Sequence, residues 1–149
     1  MDDDREIRSV LSLYLEDDKD LVVDTAGSGE EALAKNGASP YDIIVTDLKM
    51  PGMGGIELIK EIRKQEKITE FIIITGYASV DTAIEAVKLG AFDYVVKPFK
   101  LDELQIMINN AKDKVNLKKA NEHLMKKLED LHREIDVYSR AKQKSYSAD

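Results

Sequence analysis

The chain has 149 residues, of which 43% are hydrophobic and 34% charged, with a formal net charge of −7 and no cysteine. That length suits one globular domain with an additional element and excludes a large multidomain enzyme, and the missing thiols exclude disulfides, thiolate metal sites and cysteine catalysis. No apolar run approaches the roughly 20 residues of a membrane span, and the acidic start Met1-Asp2-Asp3-Asp4 does not resemble a signal peptide, so a cytoplasmic protein without membrane contact is expected.

Residues 1–100 carry 12 basic and 20 acidic side chains, whereas residues 101–149 carry 10 and 9. Neither part has the basic excess of a nucleic-acid binder, and no direct nucleic-acid contact is expected. In chain order, Ile7, Val10, Leu11, Tyr14 and Leu15 form a helical stripe. Residues 21–26 read as a strand, and Ser28 with Glu31 three positions later reads as a capping box opening a second helix. Strands are then expected at 42–47, 70–76 and 93–97, with helices at 55–65 and 79–89 and from Leu101 onward. Gly90 follows Leu89 where a left-handed helix stop is needed. This alternation predicts a doubly wound parallel sheet buried on both faces.

Beyond Leu101 there is neither a strand signal nor a Gly or Pro, so one helix is expected to run far past the needs of a compact domain. Leu117, Leu124, Leu131 and Tyr138 recur every seven residues, with Asn121, Leu128 and Ile135 interleaved. This is the a/d seam of a coiled coil. The spacing of Leu104, Ile108, Ala111 and Val115 follows a different frame, which places a change of packing partner near Val115 to Leu117. The expected domains are therefore 1–115, a globular α/β domain; 116–144, a dimerising helix; and 145–149, a disordered tail.

Three strand ends carry chemistry. Asp47, Thr75 and Lys97 bring a carboxylate, a hydroxyl and a cation to the carboxyl edge of a parallel sheet, where such folds bind ligands. The set suits holding a phosphoryl group on the carboxylate. Each residue taken singly has a plainer reading: Asp47 as a turn former, Tyr94 as packing, Asp2 and Asp3 as a solvated terminus, and His132 as a surface position on the long helix.

The segments T-D-L-K-M-P-G-M-G-G at 46–55, I-I-I-T-G-Y-A-S at 72–79 and A-F-D-Y-V-V-K-P-F at 91–99, in that order, resemble the response-regulator receiver domain. The resemblance covers about residues 2–115. It implies a flavodoxin-like fold and a two-component signalling role under a sensor histidine kinase or phosphotransfer protein. By the same resemblance, Asp47 is the phospho-acceptor, Thr75 and Lys97 bind phosphoryl oxygens, and Thr75 with Tyr94 forms the switch. Mg²⁺ is implied on Asp2, Asp3, Asp47 and the Lys49 carbonyl, with Asp3 direct and Asp2 acting more through water. The resemblance also implies that Lys49 and Tyr77 flank the path of an attacking water, their plainer reading being exposed loop side chains, and that the Lys97–Pro98 bond is cis.

The chain departs from the family at its start. Receivers begin with a central apolar strand before the acidic pair, and here Met1 stands where that strand's last residue is expected. Strands lie about 4.8 Å apart, so its absence leaves a gap of about 10 Å in the sheet. A start site placed too late, a truncated chain, or closure by another route each account for it. The long helix resembles the linkers joining receivers to AAA+ output domains in transcriptional activators, and pairing with a second copy is expected. Two other functions compete: a receiver-shaped adaptor acting by dimerisation without phosphate, and an aspartyl-phosphate hydrolase. The hydrolase is weakened because position 49 is Lys where such phosphatases carry a second Asp. As an enzyme, the protein is expected to do no more than phosphorylate itself from a donor and dephosphorylate itself, with Mg²⁺.

Overall fold

The computed structural model describes residues 1–148 and divides the chain into two compact units, residues 1–115 and residues from 116 onward. In the first unit the elements are α1 (Arg5–Glu16), α2 (Gly29–Ala38), β1 (Ile43–Asp47), α3 (Gly55–Arg63), β2 (Glu70–Thr75), α4 (Val80–Lys88) and β3 (Asp93–Val96), and α5 (Leu101–Ser147) begins there. The strands form one parallel sheet in the order β1-β2-β3, with Asp47 beside Ile74 and Thr75 beside Val96.

Every residue of β2 is buried, as a central parallel strand covered by helices on both faces should be. Alternate side chains feed two cores. Phe71 and Ile73 pack with Ala32 of α2, Leu58, Ile59 and Ile62 of α3, and Ala86 of α4. Ile72 and Ile74 pack with Leu15 of α1 and Leu104, Ile108 and Ala111 of α5. The stripe expected on α1 is narrower than its sequence suggests: Leu15 is buried and Leu11 and Tyr14 join the core, but Val10 is 53% exposed.

Helix ends follow their local chemistry. Ser28 Oγ accepts from Glu31 N–H at 3.1 Å, and the Glu31 carboxylate accepts from the Gly27 N–H at 2.9 Å, one residue before the position a strict capping box uses. At α4 the reciprocal box is formed by Ser79 and Thr82, which the sequence reading did not identify. Gly90 has φ +70°, the left-handed conformation expected of it.

Residues 21–26 are not a strand, contrary to expectation. A strand exists only by pairing, and what lies between this segment and β1 is Met1 and Asp2 alone among the described residues. Met1 N donates to Val45 O at 2.6 Å and Met1 O accepts from Asp47 N at 3.2 Å, while Asp2 N donates to Ala26 O at 3.3 Å. Those bonds are one step of a parallel ladder. Side chains hold the rest of the segment: Lys35 Nζ donates to Thr25 O at 2.6 Å, Tyr41 OH donates to Asp24 at 2.6 Å, and Leu21 and Val23 rest on the α1/α5 core.

Helix α5 is 47 residues long. Leu104, Ile108, Ala111 and Val115 are buried, and after Val115 the apolar residues are open to solvent, from Leu117 at 69% to Leu131 at 53% exposure. The tail expected to fray from Ser145 is helical to Ser147 because nothing before that point breaks the ladder; Asp149 lies outside the described residues. Among the described residues no helix is long and apolar enough to cross a membrane.

Candidate functional site

Parallel pairing fixes where the three strands end. Asp47 closes β1, Thr75 closes β2, and Lys97 follows β3, its N–H donating to Thr75 O at 2.8 Å. The Lys97–Pro98 bond is cis.

Lys97 Nζ lies 2.8 Å from Asp47 Oδ2 and 2.8 Å from Asp2 Oδ2. Both carboxylates are buried, and the lysine side chain is 22% exposed. Burial works against the charge on Asp2, but the Lys97 hydrogen bond and the Asp4 N–H, 2.9 Å from Asp2 Oδ1, outweigh it and hold the carboxyl below its ordinary range. Burial likewise disfavours the Lys97 ammonium, and the two carboxylates reverse that and raise its pKa. The Met1 amine is lowered to about 6, chiefly by burial. Asp47 Oδ1 accepts from the Lys49 N–H at 3.3 Å.

The loop after Asp47 runs close to the site. A Cβ at Gly55 would stand 2.2 Å from Asp47 O, so only glycine lets α3 begin this near the carboxylate strand. At the other side, Asp4 caps α1 through the Glu6 N–H at 2.9 Å, and Arg8 donates to Asp2 O at 2.7 Å. These two fix the backbone that carries the acidic pair. The sequence reading missed Arg8, whose role depends on one turn of α1 being formed; the S/T/D/N cap rule was the signal that could have found Asp4.

Asp2, Asp3 and Asp47 present carboxylate oxygens within 4.8 Å of one another. Asp2 is buried and Asp3 exposed. An all-oxygen anionic set of this kind fits a hard divalent cation such as Mg²⁺, which keeps part of its water shell.

Thr75 is fully buried and its Oγ1 accepts from the Tyr77 N–H at 3.0 Å. Tyr77 is 62% exposed, with Lys49 Nζ 4.6 Å from its ring centroid. Tyr94 is half-buried against the α2–α4 core, its hydroxyl 2.8 Å from Thr82 Oγ1, the capping residue of α4. Thr82 was not singled out from sequence. His132 is exposed. The site residues expected from sequence thus divide into a bonded group of Asp2, Asp47 and Lys97, with Asp3 and Lys49 beside it, and a second pair linking Tyr94 to α4.

The response regulator receiver domain family matches residues 1–109. Regulatory protein AtoC of Escherichia coli is 43% identical over 99 residues, which is 66% of this chain and 22% of that protein. The DNA-binding transcriptional regulator NtrC of Salmonella typhimurium is 37% identical over 111 residues, 74% of this chain and 24% of that one. The chain therefore spans less than a quarter of the length of these two relatives. Among solved structures, a CheY-like receiver domain protein from Methanospirillum hungatei superposes with TM-score 0.74 at 29% identity, covering 78% of this chain and 93% of its own. NtrX from Brucella abortus does so with TM-score 0.73 at 30% identity, covering 80% and 27%. The expected absence of nucleic-acid contact gains no support, because a matched relative is named a DNA-binding regulator.

Proposed function

This chain belongs to the response-regulator receiver family of two-component signalling, and from that premise we propose that Asp47 accepts a phosphoryl group from a histidine kinase or phosphotransfer protein. The observation that carries the proposal is the Lys97 ammonium held 2.8 Å from Asp47 and 2.8 Å from Asp2 at the carboxyl edge of the sheet, beside the buried Thr75. An Asp47 oxygen attacks phosphorus; the bond to the donor's imidazole nitrogen breaks as the new P–O bond forms, its electron pair stays on that nitrogen, and the imidazole, already protonated on its other nitrogen, leaves neutral. Asp2, Asp3, Asp47 and the Lys49 carbonyl would hold Mg²⁺, which when bound offsets the charge of the phosphoryl oxygens. Lys97 pairs with one of those oxygens, and Thr75 donates to another.

The Thr75 hydroxyl, drawn toward the phosphoryl group, leaves room that the Tyr94 ring can enter. Tyr94 then gives up its contact with Thr82 and with it one support of the α4 cap. Incubation with a small acyl phosphate and Mg²⁺ is expected to add one phosphoryl group, read by intact mass. If no group is added while the chain still dimerises, the adaptor reading takes its place. Lys49, whose ammonium lies 4.6 Å from the Tyr77 ring centroid, and Tyr77 would by the family resemblance flank the approach of water to Asp47. The Tyr77→Ala variant should therefore lose its phosphoryl group several-fold faster by the same assay, without a change in the rate of uptake.

The exposed stripe Leu117, Leu124, Leu128, Leu131, Ile135 and Tyr138 is the surface for a second copy, paired in parallel with Asn121 at an a position selecting a two-stranded, in-register seam. Sedimentation equilibrium of the full chain at high micromolar concentration is expected to give a dimer. Leu124→Lys with Leu131→Lys should give a monomer whose thermal midpoint for the globular unit is unchanged.

A further inference from the structure

The loop 48–54 between β1 and α3 carries the Lys49 carbonyl, one of the oxygens proposed above for Mg²⁺, and the first turn of α2 is seated against it. The base of the loop is closed where the Gly55 N–H donates to Leu48 O at 3.0 Å. Its tip is held from α2, because Glu30 Oε1 accepts from the Met53 N–H at 2.8 Å. A Cβ at Gly29 would stand 2.4 Å from Met53 O, and one at Gly52, whose φ is +76°, would stand 2.6 Å from Glu30 Oε1, so helix and turn lie in direct contact. Glu30 is itself exposed. Its carboxyl is held below the ordinary range, first by its own backbone N–H and then by that of Met53.

The Lys49 N–H donates to Asp47 Oδ1 at 3.3 Å, which holds the amide side of that residue. Where its carbonyl points is then set by the residues that follow. Met50 is buried and Pro51 has a locked φ, so the segment is stiff and a displacement at Met53 is carried back toward Lys49. We propose that Glu30 is a positioning residue for the divalent cation, anchoring the tip of the 48–54 loop so that the Lys49 carbonyl keeps its place beside Asp2, Asp3 and Asp47. This rests on the reading of those residues as an Mg²⁺ site. The carboxylate acts through the Met53 N–H without touching the ion, as groups that orient metal ligands from behind do.

Isothermal titration calorimetry of the full, unphosphorylated chain with magnesium chloride tests this. Glu30→Ala should bind Mg²⁺ about ten-fold more weakly than the parent, whereas Glu30→Gln, whose amide oxygen still accepts from the Met53 N–H, should stay within about two-fold. The Met53 amide should lose protection from hydrogen exchange in the first variant and keep it in the second. Glu30→Ala binding as tightly as a parent that binds Mg²⁺ would overturn the anchor and leave the metal site standing. So would Glu30→Gln binding as weakly as Glu30→Ala, since that pattern reports a lost charge and not a lost hydrogen bond. A parent that binds no Mg²⁺, or binds it equally well after Asp3→Ala, would overturn the metal site and the anchor with it.

Discussion

The Asp47→Asn variant is expected to take up no phosphoryl group from an acyl phosphate in the presence of Mg²⁺, and the Lys97→Met variant to take it up about 100-fold more slowly. The amide has nearly the shape of the carboxylate but no anionic oxygen to attack phosphorus, so labelling of Asp47→Asn equal to the parent would remove Asp47 from the reaction. On the proposed mechanism, Lys97→Met would keep the Asp47 nucleophile and lose the ammonium that meets the developing charge. Its effect on stability is distinctive. Without the lysine, Asp2 and Asp47 face each other as buried carboxylates, which costs about 3 kcal/mol in the metal-free chain. Millimolar Mg²⁺ should restore much of that loss, whereas Asp47→Asn with Lys97→Met should need no cation because one of the two charges has gone. Urea unfolding with and without Mg²⁺ reads these differences. A Lys97→Met chain as stable as the parent in a chelator would show that the two carboxylates are relieved by something other than the ammonium.

Adding an apolar segment of the Val-Leu-Ile-Val type before Met1 should raise stability by about 3 to 6 kcal/mol. The ladder step made by Met1 and Asp2 points along β1 toward Ile43, whose pairing with β2 leaves its other edge open. Ile43, Val45, Leu21 and Val23 are only partly buried on the α1/α5 face, and Val22 is 99% exposed. An inserted strand would bond to the β1 edge on one side and to residues 21–25 on the other, and would cover those side chains. The thermal midpoint should rise, and amides of residues 22–24 should gain protection from exchange as that segment becomes a strand. Tighter Mg²⁺ binding should accompany this, since Asp2 and Asp3 would then leave a longer paired strand. An unchanged midpoint would mean that the β1 edge is closed in some other way.

The helices and three of the strands were legible because each is written in a local pattern. Apolar spacing marks α3 and α4, a capping residue marks the start of α2, and β-branched runs mark β1, β2 and β3. The strand-end residues Asp47, Thr75 and Lys97 were legible for the same reason, since in a parallel sheet the ends of successive strands share one edge whatever fills the core. The change of frame after Val115 was visible too, because a slip in apolar spacing requires a change in what the helix faces.

Other features depend on segments far apart in the chain. Residues 21–26 have a strand's composition and are not a strand, because pairing is a property of two segments and, among the described residues, the neighbouring position holds only Met1 and Asp2. Two adjacent aspartates that no local pattern distinguishes become one buried and one exposed, since Asp2 meets Lys97 from 95 residues away. Val10 belongs to the helical stripe by spacing but lies outside the core, because the width of a helix's buried face is set by what packs on it. Glu70 reads as a polar strand head and is sealed under α5, where Lys114 stands beside it. Local periodicity thus determined the elements and the edge on which the chemistry stands. Pairing partners, burial and the placement of charges against one another were decided by tertiary contact, because hydrogen bonding and desolvation act between surfaces that only folding brings together.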